Sequence, residues 1–460
     1  MSTPVAFHWF RRDLRLDDNA GLYAALKSGL PVVAVFVFDR HILDVLEDRD
    51  DARVTFLHRR VAQLRGEVEA LGGRFEVVYD TPESAWHRLS GRYRVVEVHA
   101  GRDYEPYARE RDAAVASLLA ERGGELHLHK DHVVFEAHEV EKRSGGPYTV
   151  FTPYSRRWAE VLASRPDEDG NGEEVSYYLK AYPTEEYFSA FAKTEVLPEG
   201  PGAMPTLAEM GFRESALDYP PPQPDEDVIR DYHETRNFPA KAGTTRMGVH
   251  LRHGTVSVRR LARRAQDLNE TYLSELIWRD FYSGVLQAFP EVVTRSFRPE
   301  YDHIEWVNDE EHFAAWCEGR TGYPLVDAGM RELNATGYMH NRVRMVTASF
   351  LTKHLLTDWR WGERYFARRL LDYDLASNNG GWQWAAGSGT DASPYFRVFN
   401  PESQLKKFDR DLRYVRRWVP EYGASGYPEP IVEHKWARQR ALDTYKAGLA
   451  AARTGMDVGA

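Results

Sequence analysis

Five short apolar runs, separated by helical patterns, occupy the first 135 residues, and this alternation constrains the fold more than any other feature of the chain. The runs are PVAFHWF, PVVAVFVFD, RFEVVYD, RVVEVHA and ELHLHKDHVVF. Continuous apolar runs of this length are typical of strands that are buried on both faces. Between them, the segment that starts at Ala52 has a helical apolar period and ends at a glycine pair, which predicts a helix with its C-terminal cap. Strand and helix in alternation predict an α/β domain, residues 1–135, with a doubly wound parallel sheet.

The rest of the chain divides by composition. Residues 136–226 are dominated by Pro, Gly and acidic residues, which predicts a long interdomain connector that wraps the surface. From 227 to 450, apolar residues recur at spacings of three and four, which predicts an all-α domain. Residues 451–460 are rich in Ala and Gly, and we expect them to fray. No GxGxxG follows the first predicted strand, so the usual dinucleotide fingerprint is missing.

The net charge argues against a general polyanion-binding protein. The chain has 60 Lys and Arg against 70 Asp and Glu, for a net charge of −10. Positive charge is concentrated locally instead. Pro239 to Gln266 has several basic residues and no acidic one, and a second basic cluster runs from Lys406 to Arg417. Each cluster is compatible with a nucleic-acid contact or with an ordinary solvated helix face.

A single cysteine, Cys317, excludes an intramolecular disulfide and any Cys-based zinc site, and we predict no metal. No apolar stretch approaches the roughly 18 to 20 residues that span a bilayer. We therefore expect no membrane contact and a cytoplasmic location.

Three motifs of the helical region carry residues that can stack on nucleobases or hydrogen-bond to them. They are ELIWRDFY from Glu275, GYMHNRVRM from Gly337 and NNGGWQW from Asn378. In this order and spacing they resemble the flavin-dependent DNA photolyases, and the resemblance covers nearly the whole chain. HNRVRM lacks the His-His pair of the (6-4) photolyases and the Asp typical of plant cryptochromes. The motifs are most similar to those of the class I cyclobutane pyrimidine dimer photolyases.

The resemblance implies that the helical domain binds FAD, with the reduced form, FADH⁻, as the active one. Tyr232 and the run from Thr244 to Gly248 correspond to the family's diphosphate site, although the family's usual Ser is Gly248 here. Asp372 is implied to pair with Arg344, and Asn378 to face flavin N5. The implied cofactor residues are Tyr232, Thr244, Thr245, Arg246, Met247, Gly248, Arg279, Arg344, Asp372, Tyr373, Asp374 and Asn378.

The same resemblance implies a pocket for a flipped-out pyrimidine dimer. Trp278 and Trp384 would stack on the lesion, and Glu275 would hydrogen-bond to a pyrimidine. Asn341, Arg342 and Met345 are expected to share one helix face. The implied substrate and DNA contacts are Arg236, Glu275, Trp278, Asn341, Arg342, Met345, Trp384, Arg397, Gln404 and Lys406.

Three further tryptophans, Trp382, Trp359 and Trp306, occupy the positions of the family's electron-transfer chain between the flavin and the protein surface. The resemblance thus implies five catalytic residues: Glu275, Asn378 and these three tryptophans. Aromatic residues in a helical core are often only packing, so the motif context carries this interpretation.

The implied reaction is light-driven repair of cyclobutane pyrimidine dimers by electron transfer from excited reduced FAD to the lesion. A monomer that binds damaged DNA and needs no obligate protein partner would perform it. A second, light-harvesting chromophore is also implied. Tyr107 and Ala108 stand where folate-binding members have an Asn-Glu pair, so a deazaflavin is favoured over folate, and FMN or an empty antenna site stays open.

Two rival functions stay open at this stage. One is a cryptochrome-type blue-light photoreceptor with the same flavin and little repair, which the retained lesion-pocket residues argue against. The other is a light-independent flavoprotein reductase, for which the sequence has no nicotinamide motif.

Overall fold

The structure is a computed structural model that describes residues 3–164, 177–193, 197 and 202–457. It divides into two compact units. The α/β unit comprises residues 1–139, 158–223 and 247–267, and the helical unit comprises residues 140–157, 224–246 and 268–460. The predicted boundaries after residues 135 and 226 differ from this division, because the chain contributes three separate segments to each unit.

One parallel sheet forms the centre of the α/β unit. Its strands are β1 (Pro4–Phe10), β2 (Val32–Asp39), β3 (Phe75–Asp80), β4 (Arg94–Gly101) and β5 (Glu125–His129), in the order β3-β2-β1-β4-β5. This confirms the predicted α/β class and doubly wound sheet. β1 and β2 are almost wholly buried inside the sheet. β5 is an edge strand with partly exposed residues, so the expectation that its run is buried on both faces is wrong.

In residues 1–139, helices alternate with the strands as predicted. Helix α3 begins after Asp51, whose carboxylate accepts a hydrogen bond from the N–H of Arg53, and it ends just before Gly72, which has a φ of 76°. This confirms the helix predicted from Ala52, together with its glycine cap. The helices are α1 (Ala20–Leu26), α2 (Arg40–Leu43), α3 (Ala52–Ala70), α4 (Pro82–Arg92) and α5 (Pro106–Ala120).

The predicted connector is more than a surface linker. It contains helix α6 (Phe151–Ala163), and two of its aromatic side chains, Phe191 and Phe212, are buried in the core of the α/β unit. The expectation that the whole segment wraps the surface is therefore wrong, because a few apolar side chains suffice to anchor an otherwise polar segment. The acidic run DEDGNGEE, residues 167–174, lies outside the described residues.

Helices make up most of the chain after the connector, as predicted. Helices α9 and α10 belong to the α/β unit, whereas the others lie in the helical unit. A π-helical turn, Phe350–His354, continues α14. The helices are α7 (Glu226–Arg230), α8 (Tyr232–Thr235), α9 (Gly248–His253), α10 (Val258–Leu268), α11 (Glu270–Ala288), α12 (Glu310–Glu318), α13 (Pro324–Thr336), α14 (Asn341–Ser349), α15 (Trp359–Arg369), α16 (Leu375–Ala386), α17 (Pro401–Phe408), α18 (Arg413–Trp418) and α19 (His434–Asp457). Short 3-10 helices cover Ala137–Glu139, Tyr177–Leu179, Thr184–Ala190, Pro290–Val293 and Pro299–His303.

Helix α19 continues to Asp457, so the expectation that the chain frays from residue 451 is wrong over this part of the tail. Residues 458–460 lie outside the described part. Among the helices of the described residues, none is both long and apolar enough to cross a membrane.

Candidate active site

A cavity of about 400 Å³ opens in the helical unit, and residues of α11, α14 and α16 line much of it. Each of the three motifs that stood out in the sequence supplies one of these helices. The structure therefore brings together residues that are about a hundred positions apart in the chain. The predicted site residues that line the cavity are Arg236, Glu275, Trp278, Arg279, Asn341, Arg344, Met345, Asp372, Tyr373, Asp374, Asn378, Trp382 and Trp384.

The two glycines of NNGGWQW have different uses. A Cβ atom on Gly380 would lie 2.2 Å from Cδ1 of Tyr282, so only glycine lets α16 approach α11 this closely. Gly381 lines the cavity, and a Cβ atom there would have no heavy atom within 4 Å. One glycine thus brings two walls together, and the next leaves room inside them for a bound group.

Asn378 is fixed by a residue that the sequence analysis missed. Its amide nitrogen donates to the backbone carbonyl of Glu363 at 3.1 Å and to the Glu363 carboxylate at 2.8 Å. Burial raises the pKa of Glu363, while the hydrogen bond from Asn378 opposes that rise. Since both amide hydrogens are used in this way, the amide oxygen of Asn378 is the atom that can accept a hydrogen bond from a ligand. In the sequence, Glu363 is recognisable only as one residue of a predicted helix. The helical pattern does not predict its contact with Asn378.

A second polar pair lies at the same cavity. Arg344 donates to the two carboxylate oxygens of Asp372 at 2.9 and 3.1 Å, as the resemblance implied, and its Nε donates to the carbonyl of Met339. Asp374 caps α16 by accepting from the N–H of Ser377. Arg344 and Asp372 thus form a fixed ion pair in the cavity wall, and their charges neutralise each other.

Glu275 lies on the same face of α11 as Trp278 and Arg279. Its carboxylate accepts from Arg236 at 2.6 Å. Burial raises the pKa of Glu275, and the Arg236 guanidinium partly offsets that effect. A half-buried carboxyl with a raised pKa needs less free energy to take up a proton than a fully exposed one does.

The helix face predicted for Asn341, Arg342 and Met345 is only partly correct. Asn341 and Met345 line the cavity, but Arg342 does not. Arg342 donates to the side-chain oxygen of Asn237 at 2.6 Å, and its guanidinium lies over the ring of Phe408 at 4.5 Å. One residue along a helix is a rotation of about 100°, so Arg342 points to the side of the cavity and not into it.

The predicted diphosphate residues lie outside the cavity wall. The hydroxyls of Thr244 and Thr245 are paired with those of Tyr338 and Tyr272, at 3.1 and 2.8 Å. Arg246 has a φ of 54° and stacks on Tyr338 at 3.9 Å. Tyr232 packs edge-on against Tyr272. Met247 and Gly248 follow directly in the chain: Met247 precedes α9, and Gly248 is its first residue.

The three tryptophans of the predicted electron-transfer chain differ in exposure. Trp382 lines the cavity and is buried, Trp359 is buried in the same core, and Trp306 packs against that core but is partly exposed. A Cβ atom on Gly362 would lie 2.1 Å from the Trp382 ring, so this glycine lets α15 pack against it. The indole N–H of Trp359 is buried and has no hydrogen-bond acceptor among the described residues.

The predicted DNA contacts of the C-terminal part also lie outside the cavity. Arg397 follows α16 and is exposed, and Lys406 is exposed on α17. Gln404, on the same helix, has a buried side-chain oxygen without a partner among the described residues. Together with Arg342, these residues are surface candidates and not pocket residues.

Two family models together match most of the chain. Residues 272–425 match the family described as the FAD binding domain of DNA photolyase, and residues 6–171 match the family described as DNA photolyase. The chain belongs to the DNA photolyase family. A deoxyribodipyrimidine photo-lyase of Vibrio cholerae is 38% identical, over 95% of this chain and 98% of that protein.

Solved structures agree with this assignment. A bacterial class III photolyase from Agrobacterium tumefaciens is 33% identical with a TM-score of 0.81, and the match covers 97% of this chain and 98% of that one. A cryptochrome from Synechocystis is 25% identical with a TM-score of 0.83, over 96% and 99% of the two chains. The more specific assignment to class I stays a prediction.

In the α/β unit of this photolyase-family chain, Tyr107 and Ala108 occupy the positions of the Asn-Glu pair of folate-binding members, and both are engaged in packing or hydrogen bonding within the unit. The Tyr107 hydroxyl donates to the Asp39 carboxylate, and Ala108 is buried. Burial raises the pKa of Tyr107, and the bond to Asp39 raises it further. Neither side chain offers the carboxylate that the Asn-Glu pair would supply.

Proposed function

We propose that this chain repairs cyclobutane pyrimidine dimers in DNA in a light-driven reaction that uses FAD. One observation carries the proposal: a single cavity is lined by two tryptophans, Trp278 and Trp384, and by Glu275 and Asn378. Aromatic faces suit an extruded base, because every base can stack on a ring whatever its sequence context. The polar groups suit the flavin and the lesion edges.

FAD is the cofactor, and the residues present suit it. The Arg344–Asp372 pair, Asp374 and the oxygen of Asn378 would hold the flavin side of the molecule, in the space that Gly381 leaves open. An acceptor at Asn378 suits a flavin N5 that carries a hydrogen. When bound, reduced FAD in its excited state supplies the electron that opens the dimer ring.

Glu275 and Trp278 act on the lesion side. Extrusion of the lesion from the duplex costs on the order of a few kcal/mol, because the lesion loses its base stacking. Stacking on Trp278 and Trp384 replaces that lost stacking. Glu275 holds a hydrogen-bonding carboxyl at the pyrimidine edge in a site of low dielectric, where negative charge develops during ring opening. Burial raises the pKa of Glu275, which lowers the free-energy cost of the protonated form that can donate a hydrogen bond to that charge.

The strand is held without sequence readout. Arg236, Arg342, Arg397, Gln404 and Lys406 are the proposed contacts to DNA phosphates. A local basic surface of this kind reconciles DNA binding with a net charge of −10. We propose that a monomer suffices and that no obligate protein partner is needed. The antenna chromophore is proposed to be a deazaflavin, not folate. The cytoplasmic location stays a prediction.

The decisive experiment is the absorption spectrum of the purified protein, combined with a repair assay on dimer-containing DNA in light and in darkness. Flavin bands and repair only in light are the expected result. Flavin bands that respond to blue light, with no repair of bound lesions, would favour the photoreceptor that the Synechocystis likeness allows. An additional absorption band would identify the antenna.

A further inference from the structure

Phe151, the first residue of α6, stacks on Trp278. The two ring centroids are 3.7 Å apart, and the ring planes are within 5° of parallel. This is the geometry of stacked nucleobases, and it differs from the tilted and edge-on contacts that Trp278 makes with Tyr282 and Phe281. Phe151 lies in the segment that the sequence analysis assigned to the connector.

The stack divides the surroundings of Trp278 into two sides. Trp278 lines the cavity, whereas Phe151 does not. Phe151 therefore stacks on one face of the indole without being part of the cavity wall itself. Tyr282 also lines the cavity and meets the indole at a tilt of 32°, so no second parallel ring among the described residues closes the cavity side of Trp278.

Phe151 is itself held in place from two directions. Its ring meets Phe281 edge-on, with centroids 5.9 Å apart. Its backbone N–H donates to the carboxylate of Asp391 at 3.3 Å. Asp391 has a φ of 47° and lies in the segment after α16 that also carries Arg397. Phe151 therefore links Trp278, through its ring, to the segment of residues 391–397, through its backbone N–H. That segment is proposed to contact DNA.

We propose that Phe151 is a positioning residue of the lesion pocket, which holds the Trp278 ring in the orientation that stacks on an extruded pyrimidine. An indole with one face already stacked cannot turn freely, so less rotational freedom is lost when a base stacks on the other face. Phe151 does not touch the lesion. The inference rests on the proposed function, since it gives Trp278 the lesion as its ligand.

The test separates affinity from repair. The FAD-loaded full chain is titrated in darkness with an oligonucleotide that carries one thymine dimer and with its undamaged counterpart, and repair per bound lesion is then measured in light. Phe151→Leu keeps apolar bulk but removes the flat face, and Phe151→Tyr keeps the flat face. We expect Phe151→Leu to weaken dimer binding about three- to tenfold, with undamaged-DNA affinity, FAD content and repair per bound lesion unchanged. Phe151→Tyr should restore dimer affinity.

Phe313→Leu is the matched control. Phe313 is also partly exposed and stacks near-parallel on a tryptophan, Trp316, but neither residue lines the cavity. This variant should bind the dimer as the wild type does. Equal losses in Phe151→Leu and Phe313→Leu, or a Phe151→Leu variant with wild-type affinity, would overturn the inference and leave the proposed function intact. A wild-type protein without dimer preference or light-dependent repair would overturn both.

Discussion

Glu275 is half-buried, forms an ion pair with Arg236 and lies on the cavity wall, and each of these bears on what its removal should do. In Glu275→Ala, the negative charge proposed to develop on the pyrimidine would lose its hydrogen-bonding partner. We expect repair per bound lesion to fall by roughly tenfold to a hundredfold, in line with the loss of a preorganised group. Single-turnover repair of saturated enzyme measures this, with FAD content as the check on folding.

Glu275→Gln is the informative companion, because an amide of the same shape can still donate a hydrogen bond. It should retain more repair than Glu275→Ala. If both variants repair bound lesions at the wild-type rate, Glu275 has no part in the reaction.

Single residues also mark where local sequence patterns cease to predict contacts. The face containing Glu275, Trp278 and Arg279 follows from helical spacing alone, and the structure shows it. The contacts of Glu363 with Asn378 and of Phe151 with Trp278 do not follow from spacing. They join residues from separate elements, whose meeting depends on how whole helices pack. No alternation or period in one segment contains that information.

Among the elements, the π-helical turn Phe350–His354 buries a lysine. Lys353 donates to the carbonyl of Ala386, at the end of α16, at 2.8 Å and lies over the ring of Tyr445 at 3.9 Å. Burial lowers the pKa of Lys353 from 10.5 to about 7. Between these two values the unfolded chain binds a proton that the folded chain does not. Stability should therefore rise with pH in this window.

Lys353→Met removes this titration. We expect the free energy of unfolding of the wild type to rise from pH 7 to pH 9 relative to that of Lys353→Met, by at most about 1.4 kcal/mol per pH unit. Denaturant unfolding of the FAD-loaded protein at several pH values measures the difference. The exposed Lys407→Met should follow the wild type. Parallel curves for the wild type and Lys353→Met would mean that Lys353 stays protonated in the folded state.

Helices α15 and α16 carry two of the three tryptophans proposed for photoreduction, Trp359 and Trp382. Phe keeps the packing of Trp but is much harder to oxidise. Trp382→Phe and Trp306→Phe should fold, bind FAD and photoreduce it slowly with an external donor. Repair by chemically reduced enzyme should survive, because the proposed repair electron passes from the flavin to the lesion and not along these residues. Photoreduction of Trp382→Phe at the normal rate would place the route elsewhere.

The elements were predicted with unequal success for a physical reason. Central strands such as β1 and β2 are apolar on both faces, and their composition alone indicates them. The connector has a polar average, which hides the few side chains, such as Phe191 and Phe212, that bury it. Composition averaged over a long segment therefore predicted a linker where the structure has part of a core.

At the scale of the whole molecule, DNA binding must overcome an overall negative charge. Binding through phosphates releases counterions, so dimer affinity should fall with salt on a log-log plot. We expect Arg342→Ala and Arg397→Ala each to make that slope shallower by about one. Arg320→Ala removes the same charge from an exposed arginine that is paired with Glu318 and has no place in the proposed DNA surface. It should leave the slope unchanged, and a slope unmoved by all three substitutions would place the DNA elsewhere.

The buried indole N–H of Trp359 has a chemical consequence for electron transfer. An oxidised tryptophan is a strong acid, and it normally gives its proton to a nearby base or to water. Trp359 has neither a carboxylate nor a carbonyl at its indole nitrogen among the described residues. An oxidised Trp359 would therefore remain a radical cation, and the positive hole would stay free to move on. We expect Trp306, which is partly exposed, to lose its proton to solvent and so to make the charge separation long-lived.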